Sequence, residues 1–149
     1  MKRLLGFIFF ISLTIALGIM QENSIIDYFK HFSECIISTS DTFDNDTNAI
    51  KNGNQYILRL NKNNYQQYLR NVSSIESITL RVDNVKVNEI IKTLHIDIKN
   101  TSYIYDCKVI DGYTDRLKCV VVGDTKYNIQ LAQYKDYVLI GYPLIMQGF

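Results

Sequence analysis

The first apolar segment of the chain is a run of seventeen residues, 4–20, that contains no charged side chain and follows Lys2 and Arg3. At a helical rise of about 1.5 Å per residue, the run spans about 25 Å, enough to cross a bilayer. The positive flank predicts that the residues after the run lie outside the cytoplasm. The segment therefore predicts an N-terminal membrane anchor or signal segment over residues 1–22 and a single extracytoplasmic domain over residues 23–149.

Two alternatives to an uncleaved anchor fit the same run. A signal peptide usually has an apolar stretch of about 7 to 15 residues that ends in a small-x-small cleavage site. Ala16-Leu17-Gly18 has that form, and cleavage there would release a secreted protein. A buried core helix is the other alternative, although no polar face interrupts the run. We favour the anchor, which gives a single-pass protein of the cell membrane with its C-terminal domain outside the cytoplasm.

Apolar positions after the anchor follow a helical spacing. Ser24 and Asp27 have the spacing of an N-cap and an acidic residue three positions on. Apolar side chains then recur every three or four residues, at Ile25, Tyr28, Phe29, Phe32, Cys35 and Ile36. This pattern predicts an amphipathic helix over residues 24–38. Residues 39–54 are rich in Ser, Thr, Asp and Asn, which favour turns, and are predicted to form a loop.

Shorter elements are predicted in the middle of the chain from alternating or helical spacing of apolar residues. They are two strands, near residues 55–60 and 78–82, and two short helices, over residues 63–72 and 85–94. Leu94, Ile96 and Ile98 also alternate as a strand does. The end of the second helix is therefore left open between helix and strand.

The C-terminal part of the chain has the pattern of an antiparallel sheet. Strands are predicted over residues 102–110, 116–122, 125–133 and 137–145. Gly123-Asp124 has the form of a two-residue type II′ turn between two of them. Short amphipathic helices early in the chain and a C-terminal antiparallel β-meander late in it predict an α+β fold.

Composition limits the class of protein. The 149 residues are 47% hydrophobic and 21% charged, which is ordinary for a chain that buries one core. Sixteen basic and fifteen acidic residues leave a net charge of +1, without a basic block that would contact phosphates. We therefore expect neither intrinsic disorder nor a nucleic-acid partner.

Cys107 and Cys119 stand at the two ends of the stretch CKVIDGYTDRLKC. If the middle of this stretch is a hairpin loop, Cys107 faces Cys119 and Val109 faces Leu117 on one apolar face. A cross-strand disulfide between the two cysteines would stabilise an exported domain by about 3 kcal/mol. Two reduced thiols in the core are the alternative, and Cys35 has no partner in either case.

Motifs of catalytic chemistry are missing from the sequence. His31 and His95 belong to no HExxH, H-x-E or Cys-His spacing, so we expect neither to be a general base or a metal ligand. Acidic residues near the predicted hairpin ends are explained by turn formation. They are Asp106, Asp111, Asp115 and Asp124. Because no glycine-rich phosphate loop or zinc-type cysteine spacing accompanies them, we expect no catalytic residue, no metal, no cofactor and no small-molecule substrate.

The stretch TKYNIQLAQYKDYVLIGYPLI, residues 125–145, resembles the closing strands of the exported Firmicute YwmB-like proteins, a family of unknown function. The resemblance rests on two strands that end in a Gly-x-Pro-apolar-apolar segment, and it covers at most the last third to half of the chain. It implies an extracytoplasmic domain with a TATA-binding-protein-like fold and no known catalytic residues. A fold shared with a DNA-binding protein does not imply DNA binding.

A rival resemblance lies at the other end of the chain, where KRLLGFIFFISL is similar to the leader of type IV pilins and pseudopilins. Lys2-Arg3 precedes Gly6-Phe7, and an apolar helix follows. Ile11 and Ser12 stand where that family carries an acidic residue. This resemblance implies a structural subunit of a type IV pilus or of a secretion or competence filament.

The sequence as a whole indicates a non-catalytic, membrane-anchored or secreted domain of a bacterial envelope that acts by binding or assembly. Its expected partners are the membrane, through residues 4–20, and an unidentified envelope protein.

Overall fold

The computed structural model of the protein describes residues 25–117 and 126–145. In these two ranges the chain forms three short helices and eight strands. The helices are α1 (Ile25–Tyr28), α2 (Tyr65–Asn71) and α3 (Val87–Leu94). The strands are β1 (Glu34–Thr39), β2 (Ala49–Asn52), β3 (Gln55–Leu60), β4 (Ser77–Asp83), β5 (Asp97–Ile104), β6 (Cys107–Tyr113), β7 (Ile129–Gln133) and β8 (Tyr137–Tyr142).

All eight strands belong to one antiparallel sheet with the order β2-β3-β1-β4-β8-β7-β6-β5. Strands β1–β4 form one half of the sheet and β5–β8 form the other. The halves meet where β4 pairs with β8, from Ile78 opposite Tyr142 to Asp83 opposite Tyr137. β8 therefore joins the two halves of the sheet, since it lies between β4 and β7.

The main core lies on one face of the sheet, the front face, where side chains of all three helices pack. Alternate strand positions point to this face because successive side chains of a strand point to opposite sides. Its fully buried strand residues include Ile37, Leu58, Leu80, Leu131 and Ile140. α3 contributes Val87, Ile90 and Leu94, which are buried and recur every three or four residues. Each such side chain stabilises the fold by about 1.5–3 kcal/mol on burial.

The opposite face, the back face, carries a second and smaller apolar cluster. Its buried members are Cys107, Val109, Ala132, Leu139 and Ile145. Four of them come from β6, β7 and β8, whereas Ile145 follows the last strand and reaches the cluster past a cis peptide bond between Tyr142 and Pro143. The chain after β8 therefore folds back over the sheet.

The predicted α+β fold, with an N-terminal membrane helix, short amphipathic helices and a meander confined to the C-terminal part, is wrong. The sheet runs through both halves of the described chain, and the helices are short. None of the helices in residues 25–117 and 126–145 is long and apolar enough to cross a membrane. The predicted anchor over residues 4–20 lies outside these ranges.

The predicted helix over residues 24–38 is also wrong beyond its first turn, since it ends at Tyr28 and β1 follows at Glu34. β1 lies between β3 and β4 and is buried from Cys35 to Thr39. A strand covered on both faces loses the alternation of polar and apolar residues. The apolar residues at Cys35 and Ile36 then matched a helical spacing by coincidence.

Two further boundaries differ from the sequence prediction. β2 lies inside the predicted loop over residues 39–54, and the predicted strand over residues 102–110 is two strands separated by Tyr105 and Asp106. The predicted elements near residues 55–60, 63–72, 78–82 and 85–94 are confirmed as β3, α2, β4 and α3. The predicted Gly123-Asp124 turn lies outside the described residues.

Candidate functional site

Two hairpin turns lie at the same end of the sheet and enclose a shallow, open cleft. The turns are Tyr105-Asp106, between β5 and β6, and residues 134–136, between β7 and β8. They are neighbours because β6 pairs with β7, with Lys108 opposite Gln133. The cleft has a volume of about 340 Å³. This hairpin-end cleft is lined by Tyr103, Asp106, Lys108, Gln133, Tyr134 and Lys135.

The β5–β6 hairpin displays two tyrosines to solvent. The side chain of Tyr103 is 72% exposed and that of Tyr105 is 94% exposed, the highest values among the large apolar residues of the described chain. Tyr105 has a φ of 52°, in the left-handed region that non-glycine residues rarely adopt. A two-residue turn favours positive φ because its backbone must follow the right-handed twist of the flanking strands. The turn therefore holds the Tyr105 ring out from the sheet.

The cleft combines opposite charges with neutral hydrogen-bonding groups. Lys108 and Lys135 contribute two positive charges and Asp106 one negative charge, so the lining carries a net charge of +1. The Gln133 amide and the phenol hydroxyls both donate and accept hydrogen bonds. The lining groups can therefore form hydrogen bonds and ion pairs with a bound molecule.

Tyr134 connects the cleft to the back-face cluster. Its ring stacks on Tyr137 with centroids 4.6 Å apart and planes inclined by 18°. The Arg81 guanidinium lies 4.0 Å from the Tyr137 ring centroid, in a cation–π contact. The Tyr134 hydroxyl and the Cys107 thiol are hydrogen-bond partners. Burial raises the pKa of both groups, so both are neutral near pH 7 and form an uncharged wall behind the cleft.

The hairpin predicted from the cysteine spacing is not formed. β6 is paired on both sides, and Val109 lies opposite Ser102 on β5 and Ala132 on β7, not opposite Leu117. Cys107 is buried on the back face of the sheet. Because Cys119 lies outside the described residues, the candidate disulfide between Cys107 and Cys119 stays a prediction.

Cys35 lies in the main core on β1 and is fully buried. Burial and the neighbouring charge of Glu34 raise the pKa of its thiol to about 12. A nucleophilic cysteine needs the opposite shift, because the thiolate is the reactive form. Cys35 therefore has the properties of a packing residue.

The two histidines lie between secondary-structure elements. His95 follows α3 in a left-handed conformation, with a φ of 51°, and donates its backbone N–H to the carbonyls of Ile91 and Lys92. Its ring nitrogens lie 3.0 and 3.3 Å from the Arg116 guanidinium. His31 is exposed between α1 and β1. Neither residue lines the hairpin-end cleft.

The acidic residues singled out by the sequence are dispersed. Asp106 is the one that lines the cleft, and Asp115 is exposed. Asp111 accepts hydrogen bonds from the side chains of Asn100, at 3.2 Å, and Gln130, at 2.8 Å. Asp124 lies outside the described residues. In residues 25–117 and 126–145, no group of three or more His, Cys, Asp or Glu side chains is placed to hold a metal ion.

A second polar cluster, which the sequence did not reveal, fixes the loop between β1 and β2. Asp46 accepts a hydrogen bond from the Tyr68 hydroxyl at 2.5 Å and from the Asn48 backbone N–H at 2.8 Å. Asp44 accepts one from the Tyr56 hydroxyl. Carboxylates at alternate positions also occur in calcium loops, but here both oxygens of Asp46 and one oxygen of Asp44 accept hydrogen bonds from protein donors. The cluster therefore attaches the loop to α2 and β3.

Asp106 is the only cleft residue that local sequence context singles out. The other five become neighbours through strand pairing, so a short motif does not signal them. Comparison of the chain with protein-family models, with curated proteins and with solved structures found no match.

Proposed function

We propose that the protein is a non-catalytic domain of a bacterial envelope that binds another envelope protein through the hairpin-end cleft. The observation that carries the proposal is the grouping of the exposed Tyr103 and Tyr105 with Lys108 and Lys135 at one end of the sheet. Aromatic residues are enriched in interfaces because they bury a large area with few rotatable bonds.

The charges of the cleft favour a partner segment with acidic side chains. Lys108 lies between Tyr103 on β5 and Gln133 on β7, and it is half-buried. A partner carboxylate that reaches its ammonium would also displace water from the Tyr103 ring. Partial desolvation strengthens such an ion pair relative to one in bulk water.

The raised pKa values of the Cys35 and Cys107 thiols favour binding over catalysis by a cysteine nucleophile. The pKa of Cys35 is raised to about 12, and the pKa of Cys107 is raised by burial. Both thiols are therefore protonated near neutral pH, and the thiolate is the nucleophile. The cleft itself offers ammonium, carboxylate, amide and phenol groups, which suit recognition of a polar surface.

The proposed location outside the cytoplasm rests on the apolar run over residues 4–20 and the preceding Lys2 and Arg3. A reporter fused to the C-terminus tests it, provided that the reporter is active only after export. A cytoplasmic reporter would contradict the envelope assignment.

The contact surface is tested by photo-cross-linking in the native bacterium. A photoreactive amino acid replaces Tyr105 in one strain and, as the matched control, Ile50 in another. Ile50 is 54% exposed and lies on β2, at the opposite edge of the sheet. We expect position 105 to give a discrete cross-linked protein that is not a second copy of this chain, and position 50 to give none at comparable yield.

Charge reversal then separates specific binding from chance contact. Lys108→Glu is expected to lower the yield of the cross-link from position 105 by about tenfold, since it places like charges across the interface. Lys51→Glu, on β2, is the matched control and should leave the yield unchanged. Restoration of the yield by an acid-to-lysine change in the captured protein would support the assignment. A yield that is insensitive to Lys108→Glu would overturn it.

A further inference from the structure

The outer edge of β5 is unpaired by any other strand of the described chain, because β5 is the last strand of the sheet. Its eight residues are exposed or half-exposed along their whole length. An edge strand presents a row of backbone N–H and C=O groups that can pair with another strand. The other edge strand, β2, has only four residues.

β5 is protected against pairing over its first part only. Lys99 forms an ion pair with Asp97 at 2.5 Å, and the register shifts between Ile98 and Asn100. Charges and bulges of this kind keep edge strands from associating. The following segment, residues 100–104, contains no charge, no proline and no register shift. It remains open to a second strand.

We propose that the occupant of this edge is β5 of a second copy of the chain, paired antiparallel about a two-fold axis at Ser102. The two eight-stranded sheets then become one continuous sheet. This inference concerns self-association and does not rest on the proposed function of the hairpin-end cleft.

The direction of the backbone groups restricts the register to two-fold axes that pass through a residue. Ile104 and Cys107 flank a two-residue turn and are therefore a hydrogen-bonded pair. Because bonded and non-bonded pairs alternate, the backbone groups of Thr101 and Tyr103 point away from β6. An axis at Ser102 places Thr101 of each copy opposite Tyr103 of the other, so that the outward groups meet.

Charge complementarity supports the same register. With the axis at Ser102, Lys99 of one copy lies opposite Tyr105 and beside Asp106 of the second copy, and the symmetry provides this contact twice. An axis at Thr101 would place Asp97 beside Asp106 of the second copy, and like charges at that distance repel. With the axis at Ser102, strand pairing covers the uncharged segment 100–104, and the contacts of Lys99 lie at its two ends.

The test uses the full chain in the cells that produce it. In the proposed register, Ser102 of one copy faces Ser102 of the other in a non-hydrogen-bonded pair, with Cβ atoms about 4.5–5.5 Å apart. Ser102→Cys should therefore form a disulfide-linked dimer on mild oxidation. Asn100→Cys is the matched control, since its two copies lie about 13 Å apart along the strands. The unmodified chain shows how much disulfide-linked dimer forms through the native cysteines alone.

A second pair of variants tests the role of the backbone. Thr101→Pro removes an outward N–H, which an edge strand tolerates on its free side. Added to Ser102→Cys, it should lower the dimer yield at least about tenfold, whereas Thr101→Val should leave the yield unchanged. If Thr101→Pro prevents folding, charge exchange provides the test: Lys99→Asp should lower the yield, and Lys99→Asp with Asp106→Lys should restore it.

Strong dimer formation by Ser102→Cys, little by Asn100→Cys and loss with Thr101→Pro alone would support the proposal. Equal cross-linking of Ser102→Cys and Asn100→Cys would indicate random collision and would overturn it. Absence of a dimer, or equal loss in Thr101→Pro and Thr101→Val, would overturn it as well.

Discussion

Ile145 lies directly over Gly141 on the back face of the sheet. A Cβ on Gly141 would be 2.3 Å from the backbone nitrogen of Ile145 and 2.4 Å from the carbonyl carbon of Leu144. The Ile145 N–H donates a hydrogen bond to the Gln130 side chain at 3.2 Å, and the Ile145 side chain joins the back-face cluster. The absence of a side chain at position 141 therefore allows the chain after β8 to lie on the sheet.

Gly141→Ala is expected to lower the free energy of unfolding by about 3 kcal/mol, because the clash is with backbone and cannot be relieved by a rotamer change. Denaturant unfolding of the full chain measures the loss. Gly53→Ala is the control, since a Cβ there meets no atom within 4 Å and only the φ of 63° opposes it. That cost should be about 1 kcal/mol. Equal losses in the two variants would contradict the steric explanation.

Asn128 is a buried polar residue whose side chain holds the segment after β6. Its amide oxygen accepts the Thr114 N–H at 2.8 Å, and its amide nitrogen donates to the carbonyls of Thr114, at 2.7 Å, and Leu117, at 3.3 Å. Asn128→Ala leaves these groups buried without partners, so we expect unfolding to become easier by about 3 kcal/mol. Asn54→Ala, at an exposed turn position, should change stability by less than about 0.5 kcal/mol. Comparable thermal unfolding of the two variants would exclude the proposed role of Asn128.

The Tyr68 hydroxyl attaches the β1–β2 loop to α2. It donates to Asp46 and accepts a hydrogen bond from the Asn48 side chain at 3.0 Å. Tyr68→Phe should therefore cost about 1 kcal/mol. Tyr65→Phe, on the same helix, loses only a contact with the adjacent Gln66 and should cost nearly nothing. Denaturation of both variants under one condition checks the difference, and a larger loss for Tyr65→Phe would refute it.

Low pH should weaken the attachment of the β1–β2 loop to α2 through Tyr68 and Asp46. The hydrogen bond from Tyr68 holds the pKa of Asp46 below its ordinary value, and hydrogen bonds from Ser73 do the same for Asp41. A carboxyl group whose pKa is lowered in the folded state stabilises the fold at a pH above its unfolded-state pKa of about 3.9. That stabilisation is lost as the pH falls through the folded-state pKa. The stability difference between the unmodified chain and Tyr68→Phe should shrink from neutral pH to about pH 3. A constant difference would show that Asp46 is not the acceptor that matters.

Thiol labelling checks the cysteines. Because the pKa of Cys35 is about 12 and the side chain is buried, Cys35 should react with an alkylating agent only when the protein unfolds. In denaturant without reductant we expect all three cysteines of the chain to be labelled, as measured by mass spectrometry. A single label located on Cys35 would instead establish the bridge between Cys107 and Cys119.

Local sequence patterns predicted the elements whose burial is one-sided. α3 was predictable from Val87, Ile90 and Leu94, which lie on one helical face, and β3 from the alternation at Tyr56, Leu58 and Leu60. β1 was not predictable, because Cys35, Ile36 and Ile37 are consecutive apolar residues and both faces of the strand are buried. β4 is also central and largely buried, but Ile78, Leu80 and Val82 keep the alternation, so that strand was predicted.

The candidate site depended on pairings that the sequence does not specify. Lys108 and Gln133 are brought opposite each other across β6 and β7, and residues 114–128 intervene between these strands. The turn between β5 and β6 was not predictable from the sequence either. Its first turn position is held by Tyr105, where Asn, Asp or Gly would have signalled a hairpin.

The position of β8 has a consequence for the order in which the protein folds. β4 acquires its second neighbour only from residues 137–142, which are synthesised more than fifty residues after β4 ends. Until those residues emerge from the ribosome, the facing edges of β4 and β7 are both unpaired and can pair with strands of other nascent chains. Productive folding is thus expected to depend on rapid release of the last strand, or on a chaperone that covers these two edges until it arrives.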